Sequence, residues 1–215
     1  MSERGITRRE MIQRVTATLG GAALVGGDRL LAFSFDAEAA AGAMTQGVGS
    51  FSAADVAFLD EVAETILPET TTPGAKAAKT GAFMAFMVTS AYTESDREVF
   101  RGGMKQIDDA CRSSHGAAFM SATPAQRLAL LEVLDREQKT AMEERANAPR
   151  SRAPAAASGP DVPAHYFRMM KELALLGYFT SEIGYTRALR YLESPGRYDP
   201  CAPLAPGDKS WAGHA

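Results

Sequence analysis

Three histidines (His115, His165 and His214) and two cysteines (Cys111 and Cys201) are the residues from which this chain could build metal or thiol chemistry. The cysteines stand 90 positions apart, a spacing that fits no zinc ribbon, iron–sulfur site or Cys-x-x-Cys redox motif. A carboxylate-bridged di-iron bundle needs Glu-x-x-His on two helices, and neither His115 nor His165 has a glutamate three residues before it. A Gly-x-Ser-x-Gly nucleophile elbow, a haem-attaching Cys-x-x-Cys-His and a dinucleotide-binding Gly-x-Gly-x-x-Gly are also missing. His165 precedes Tyr166 and Phe167 at a helix start, where a capping or packed imidazole is expected. His115 closes a helix, where a cation complements the macrodipole. Neighbours Asp108 and Asp109 cannot face one site on a helix and read as a solvated face. Met169, Met170 and the Phe83/Phe86/Met87 stripe read as core, and His214 as tail.

One stretch resists so plain a reading. Between Leu175 and Tyr185 lie two glycines, three aromatic residues and a lone carboxylate, Glu182. A glycine inside a helix costs about 1 kcal/mol relative to alanine, so either the backbone kinks there or something approaches closely. A core kink and a docking surface both fit.

The segments that must position these residues are helical. Ser52 with Asp55 is a capping-box pattern, and Val56, Leu59, Ala63 and Ile66 then share a face up to Pro68. Thr72-Pro73 predicts a second helix with proline in its first turn, its apolar side being Ala78, Ala82, Phe83, Phe86 and Met87. A third, from about Ser95, carries Val99, Phe100, Met104, Ile107 and Cys111, which places Cys111 toward the core. Thr123-Pro124 with Gln126 opens a fourth, striped by Leu128, Leu131 and Leu134. Residues 147–163 are Pro/Ala/Ser-rich without periodicity and read as a mobile loop. A fifth helix spans about Ala164–Leu176, then a Gly-Tyr-Phe-Thr break, then a short helix from Ser181 to Tyr191.

The last segment, Ser194–Ala215, holds four prolines and three glycines yet keeps Tyr198, Leu204 and the single tryptophan, Trp211. That predicts an extended strap lying on its own bundle or on a partner. No strand pattern appears. The expected fold is all-α, a bundle of five to six helices over residues 51–193, with 40–50 as linker and 194–215 as tail.

Length and charge narrow the function. The 215 residues suit one domain with appendages, and 23 basic against 26 acidic side chains give −3, which argues against nucleic acid as a partner. With so little catalytic equipment the chain is not expected to be an enzyme by itself.

The first 39 residues read as an address. Arg8-Arg9 precedes a weakly apolar run, Val15–Gly27, of 13 residues, shorter than the roughly 20 needed to span a bilayer. Small-residue cleavage patterns follow at Ala37-Glu38-Ala39 and Ala39-Ala40-Ala41. This is the layout of a twin-arginine signal, read by a translocase that exports folded cargo, and it predicts a periplasmic location. In an oxidising compartment Cys111 and Cys201 can form a disulfide, within the chain or to a partner.

The residues Thr7-Arg8-Arg9, Phe51-Ser52 through Ile66-Leu67-Pro68, Thr72-Pro73-Gly74-Ala75, Leu173 to Glu182, Ile183-Gly184 and Pro195-Gly196-Arg197-Tyr198-Asp199-Pro200-Cys201 occur in this order. In them the chain resembles the gluconate 2-dehydrogenase subunit 3 family. That resemblance implies a chaperone-like, non-catalytic small subunit that supplies the export signal and helps a larger partner mature. The implied partner is an FAD-binding flavoprotein of the glucose–methanol–choline oxidoreductase family that oxidises a sugar, polyol or sugar acid. A cytochrome c subunit with haem c passes the electrons onward in some complexes. No cofactor is expected in this chain. On that reading the partner interface is expected at Tyr178, Phe179, Glu182, Tyr185, Tyr198 and Trp211, since aromatic side chains anchor interfaces out of proportion to their number. The rivals are a stand-alone exported enzyme using Glu182 or His165 as acid or base, and a binding module for a small apolar ligand.

Overall fold

The computed structural model describes residues 47–147, 164–194, 196, 201, 203 and 205–212. The export signal with Arg8 and Arg9, the 148–163 segment, Tyr198 and His214 lie outside the described residues. Among those described the fold is all-α, with two isolated bridge pairs in place of any sheet.

The first helix, α1 (Ala53–Ile66), starts where its capping box dictates. The Asp55 amide donates to Ser52 Oγ at 3.2 Å, and the Ser52 amide donates to Asp55 Oδ2 at 2.8 Å. Val56, Leu59, Val62 and Ala63 form its buried face. Just before it, Phe51 is inserted edge-on against Phe100.

The second helix departs from expectation. Thr72-Pro73 does not open it; α2 runs Thr80–Ala91 and residues 67–79 form an ordered loop. Two things hold that loop. The Glu64 carboxylate accepts from the Glu69 amide at 3.0 Å and the Lys76 amide at 2.8 Å, and the Ala75 amide donates to the Leu67 carbonyl at 3.0 Å. The N-cap residue, Lys79, sits in the left-handed region at φ 53° and offers no side-chain cap. The cap comes from another helix: Asp60 of α1 accepts from the Gly81 amide at 2.6 Å. Gly81 permits the close approach, since a Cβ there would lie 2.5 Å from the Asp60 amide nitrogen and 2.6 Å from the Val56 carbonyl oxygen. The buried face of α2 is Ala82, Met84, Ala85 and Val88, whereas Phe83, Phe86 and Met87 are half-buried.

Helix α3 (Glu94–His115) buries Phe100, Met104, Ile107 and Cys111, the stripe its spacing predicts. His115 is its last residue, at the expected end. A single 3-10 turn, Phe119–Ser121, follows. Asp108 is not merely solvated: it accepts from the Phe119 amide at 2.8 Å and pairs with Arg112 at 2.7 Å, while Asp109 stays exposed. Helix α4 (Pro124–Asn147) starts on the Thr123–Gln126 box. Leu130, Leu131 and Leu134 are its buried leucines; Leu128 points outward.

Helix α5 (Tyr166–Phe179) is the hub, touching α1, α2, α3 and α4. His165 is its N-cap, Nδ1 accepting from the Phe167 amide at 3.3 Å. Met169 and Met170 are core, as expected. The expected break at Gly177 does not occur; the helix runs through to Phe179 because the Phe83 ring packs on the glycine, 2.5 Å from where a Cβ would be. Phe100, Phe119, Phe167, Leu59, Ile107 and Met170 are fully enclosed. Each contributes roughly 1.5–3 kcal/mol on transfer from water.

Candidate functional site at the C-terminal clasp

The two segments Thr72–Ala75 and Leu173–Glu182 meet in space. The Tyr178 hydroxyl donates to the Pro73 carbonyl at 2.6 Å, across 105 positions of sequence. The ring is 4% exposed and stands edge-on to Phe179 at 5.1 Å.

Beyond Thr180 the chain turns sharply. Ser181 Oγ donates to the Tyr178 carbonyl at 2.7 Å and accepts from the Gly184 amide at 3.0 Å. One π-helical turn, Gly184–Ala188, follows, closed by the Leu189 amide donating to the Gly184 carbonyl at 2.9 Å. Tyr185 meets Tyr191 edge-on at 5.4 Å.

The end of the tail then returns to this turn. The Arg190 amide donates to the Ser210 carbonyl and the Ala212 amide to the Arg190 carbonyl, both at 2.8 Å, making a parallel bridge between Arg190 and Trp211. The Arg190 guanidinium lies 4.7 Å above the indole, and Lys209 Nζ donates to the Arg187 carbonyl. Of the two supports open to the strap, its described end lies on its own chain. Trp211 is still 54% exposed, and Leu176, Tyr191 and Leu192 are exposed in the same region of sequence.

The structure thus gathers some of the expected interface residues and removes one. Tyr178 is corrected: its ring is enclosed and its hydroxyl committed, so it supports the fold rather than presenting a surface. Phe179 and Tyr185 are half-buried, and Glu182 and Trp211 are exposed. Arg190, Tyr191 and Leu192 belong with them and were missed. The Tyr-Leu pair just before the tail was the available signal; the Arg190–Trp211 contact spans 21 positions and leaves no local trace. Cys111 is a free thiol enclosed by the core, its pKa raised by burial, and Cys201 lies exposed on the tail, so no bridge joins them here.

The titratable groups are arranged for architecture. Burial pushes the Asp60 carboxyl up to about 6, against the opposing Gly81 hydrogen bond and the nearby Lys76 charge. His165 is lowered by burial and its ring stacks on Tyr166 at 4.5 Å; burial raises the Tyr166 phenol to about 12. Lys171 and Lys139 hold the Asp135 carboxyl well below the usual carboxylate range. His165 caps the start of α5 and Glu182 lies beyond its end, so these two do not converge as an acid–base pair. Among the described residues no three His, Cys, Asp or Glu side chains cluster as metal ligands, and no helix is long and apolar enough to cross a membrane.

These features define an all-α body with an aromatic C-terminal clasp and its polar side chains engaged in caps and ion pairs. The chain belongs to the family described as gluconate 2-dehydrogenase subunit 3, whose model matches residues 53–196. That span begins at the first residue of α1 and ends beyond the π turn, short of Trp211. Neither a curated protein nor a solved structure matches the chain.

Proposed function

We propose that the chain is the non-catalytic small subunit of an exported FAD-dependent dehydrogenase acting on a sugar, polyol or sugar acid. Membership of the subunit 3 family is the observation that carries this reading. On it, the Arg8-Arg9 segment directs the complex through the twin-arginine route into the periplasm. A folded, flavin-loaded catalytic subunit of the glucose–methanol–choline type crosses with it, and a cytochrome c subunit takes the electrons onward. Hydride chemistry belongs to the partner's flavin. The role of this chain is to bind, stabilise and escort.

The exposed part of the clasp supports that role. Trp211, Tyr191, Leu192 and the half-buried Tyr185 offer the aromatic and aliphatic area that carries binding energy at interfaces. The test is mild affinity isolation of the full-length tagged chain from the exported fraction, followed by an absorption spectrum. A larger co-purifying chain with flavin absorption is the expected result. A solitary, colourless product would overturn the reading.

A further inference from the structure

Away from the clasp, a groove of about 440 Å³ runs between the start of α1, the middle of α3 and the 3-10 turn. Its apolar lining is Phe51, Phe58, Met104 and Met120. The size falls within the roughly 300–1,000 Å³ of ordinary binding clefts, but the groove is open along its length, the form that receives a chain segment.

The charges on its rim are not balanced. Asp55 is engaged by the Ser52 amide and hydroxyl, both at 2.8 Å. Asp108 is engaged by the Phe119 amide at 2.8 Å and by Arg112, which it neutralises. Two cations remain, Arg101 and Lys105, one helical turn apart on α3. Arg101 rides over the Phe51 ring at 5.2 Å and donates to the Ser50 carbonyl at 2.8 Å, with no carboxylate partner among the described residues. Lys105 is 83% exposed and reaches Asp109 only at 4.0 Å, a pair of negligible worth in water. The groove therefore shows two uncompensated positive charges over an apolar floor.

We infer that this groove docks an acidic–apolar segment of the flavoprotein subunit. Aliphatic or aromatic side chains of that segment lie on Phe58, Met104 and Met120, and its carboxylates face Arg101 and Lys105. The inference rests on the proposed partnership and adds a second contact remote from the clasp. The Met120 side chain, adaptable and 44% exposed, suits an apolar surface that closes on binding.

The experiment uses the full exported chain and its co-purified flavoprotein. Lys105→Glu and Met120→Asp alter two exposed side chains, and a thermal melt establishes that each variant is folded. Together they should weaken association about tenfold, with a slower on-rate and a shallower salt dependence for Lys105→Glu. A photo-crosslinking side chain at position 120 should join an acidic peptide of the flavoprotein. Wild-type affinity in both folded variants, or a crosslink to a second copy of this chain, overturns the groove while leaving the partnership intact. If the wild-type chain brings no flavoprotein at all, the partnership fails first and the groove with it.

Discussion

The α1–α2 junction and the C-terminal clasp handle their polar and apolar groups in opposite ways. At the junction, Asp60 is 3% exposed and matched to the Gly81 amide, Glu64 takes two loop amides, and Glu61 bridges Lys76 and Arg127. At the clasp, aromatic rings stand in water, and Arg190 Nε is the single buried side-chain nitrogen or oxygen without a partner among the described residues. Buried polar groups are almost always satisfied in a finished interior. The junction is complete as it stands, whereas the clasp has the composition of a surface that is completed by something else.

The most severe way to break this contrast is Gly81→Val. The new side chain would press on the Asp60 and Val56 backbone, and we expect a loss of about 3 kcal/mol, read by denaturant unfolding. Tyr178→Phe comes next. It leaves the Pro73 carbonyl unmatched and should cost about 1–2 kcal/mol by the same measurement. An unchanged midpoint would mean that the two signature segments are not coupled.

The third test is pH. Asp60 has a folded pKa of about 6, above the model value of 3.8, so the native state binds its proton more tightly than the unfolded chain does. The contribution to stability is therefore fully present below the unfolded pKa and is lost as pH rises through the folded one. Thermal melts between pH 4 and 7 should show this slope in the wild type, and Asp60→Asn should flatten it. A variant with the wild-type slope would remove Asp60 as its source.

The mildest change in stability is expected at the clasp. Trp211→Ala removes a cation–π contact with Arg190 and should alter unfolding by no more than about 1 kcal/mol. The same substitution should sharply lower the yield of co-isolated flavoprotein. If yield and stability changed in parallel, the clasp would be ordinary scaffold and the comparison with the junction would collapse.

What the sequence made legible was local. The Ser52–Asp55 and Thr123–Gln126 boxes each close within three residues, and both helices begin where those pairs place them. The α3 stripe was readable because charged residues fill its other faces. Helix α2 (TGAFMAFMVTSA) has no charged face to orient it, so Phe83, Phe86 and Met87 looked as suitable for the core as Met84, Ala85 and Val88. Its start was misplaced for another reason: the cap, Asp60, lies 21 residues upstream on a different helix, and Thr72-Pro73 imitates a cap while serving a loop wrapped on Glu64. Gly177 signalled close approach correctly, but the approaching group was Phe83 of the same chain. At the candidate site, aromatic content could be read from sequence. Which rings face inward depended on Tyr178 finding Pro73, a contact that no periodicity encodes.

The π turn at Gly184–Ala188 sets the angular phase of everything after it. It holds one more residue than an α-helical turn, and each α-helical residue advances the chain by about 100°. Removing a single residue between Gly184 and Ala188 would restore ordinary winding and swing Leu189 to Leu192 about a quarter-turn around the axis. Arg190 would leave the indole, Tyr191 would leave Tyr185, and the backbone bridge to Ser210 and Ala212 would lose its register. The body of five helices would be untouched. A one-residue deletion is thus a rotary dial on the clasp, able to re-aim its surface without altering its composition.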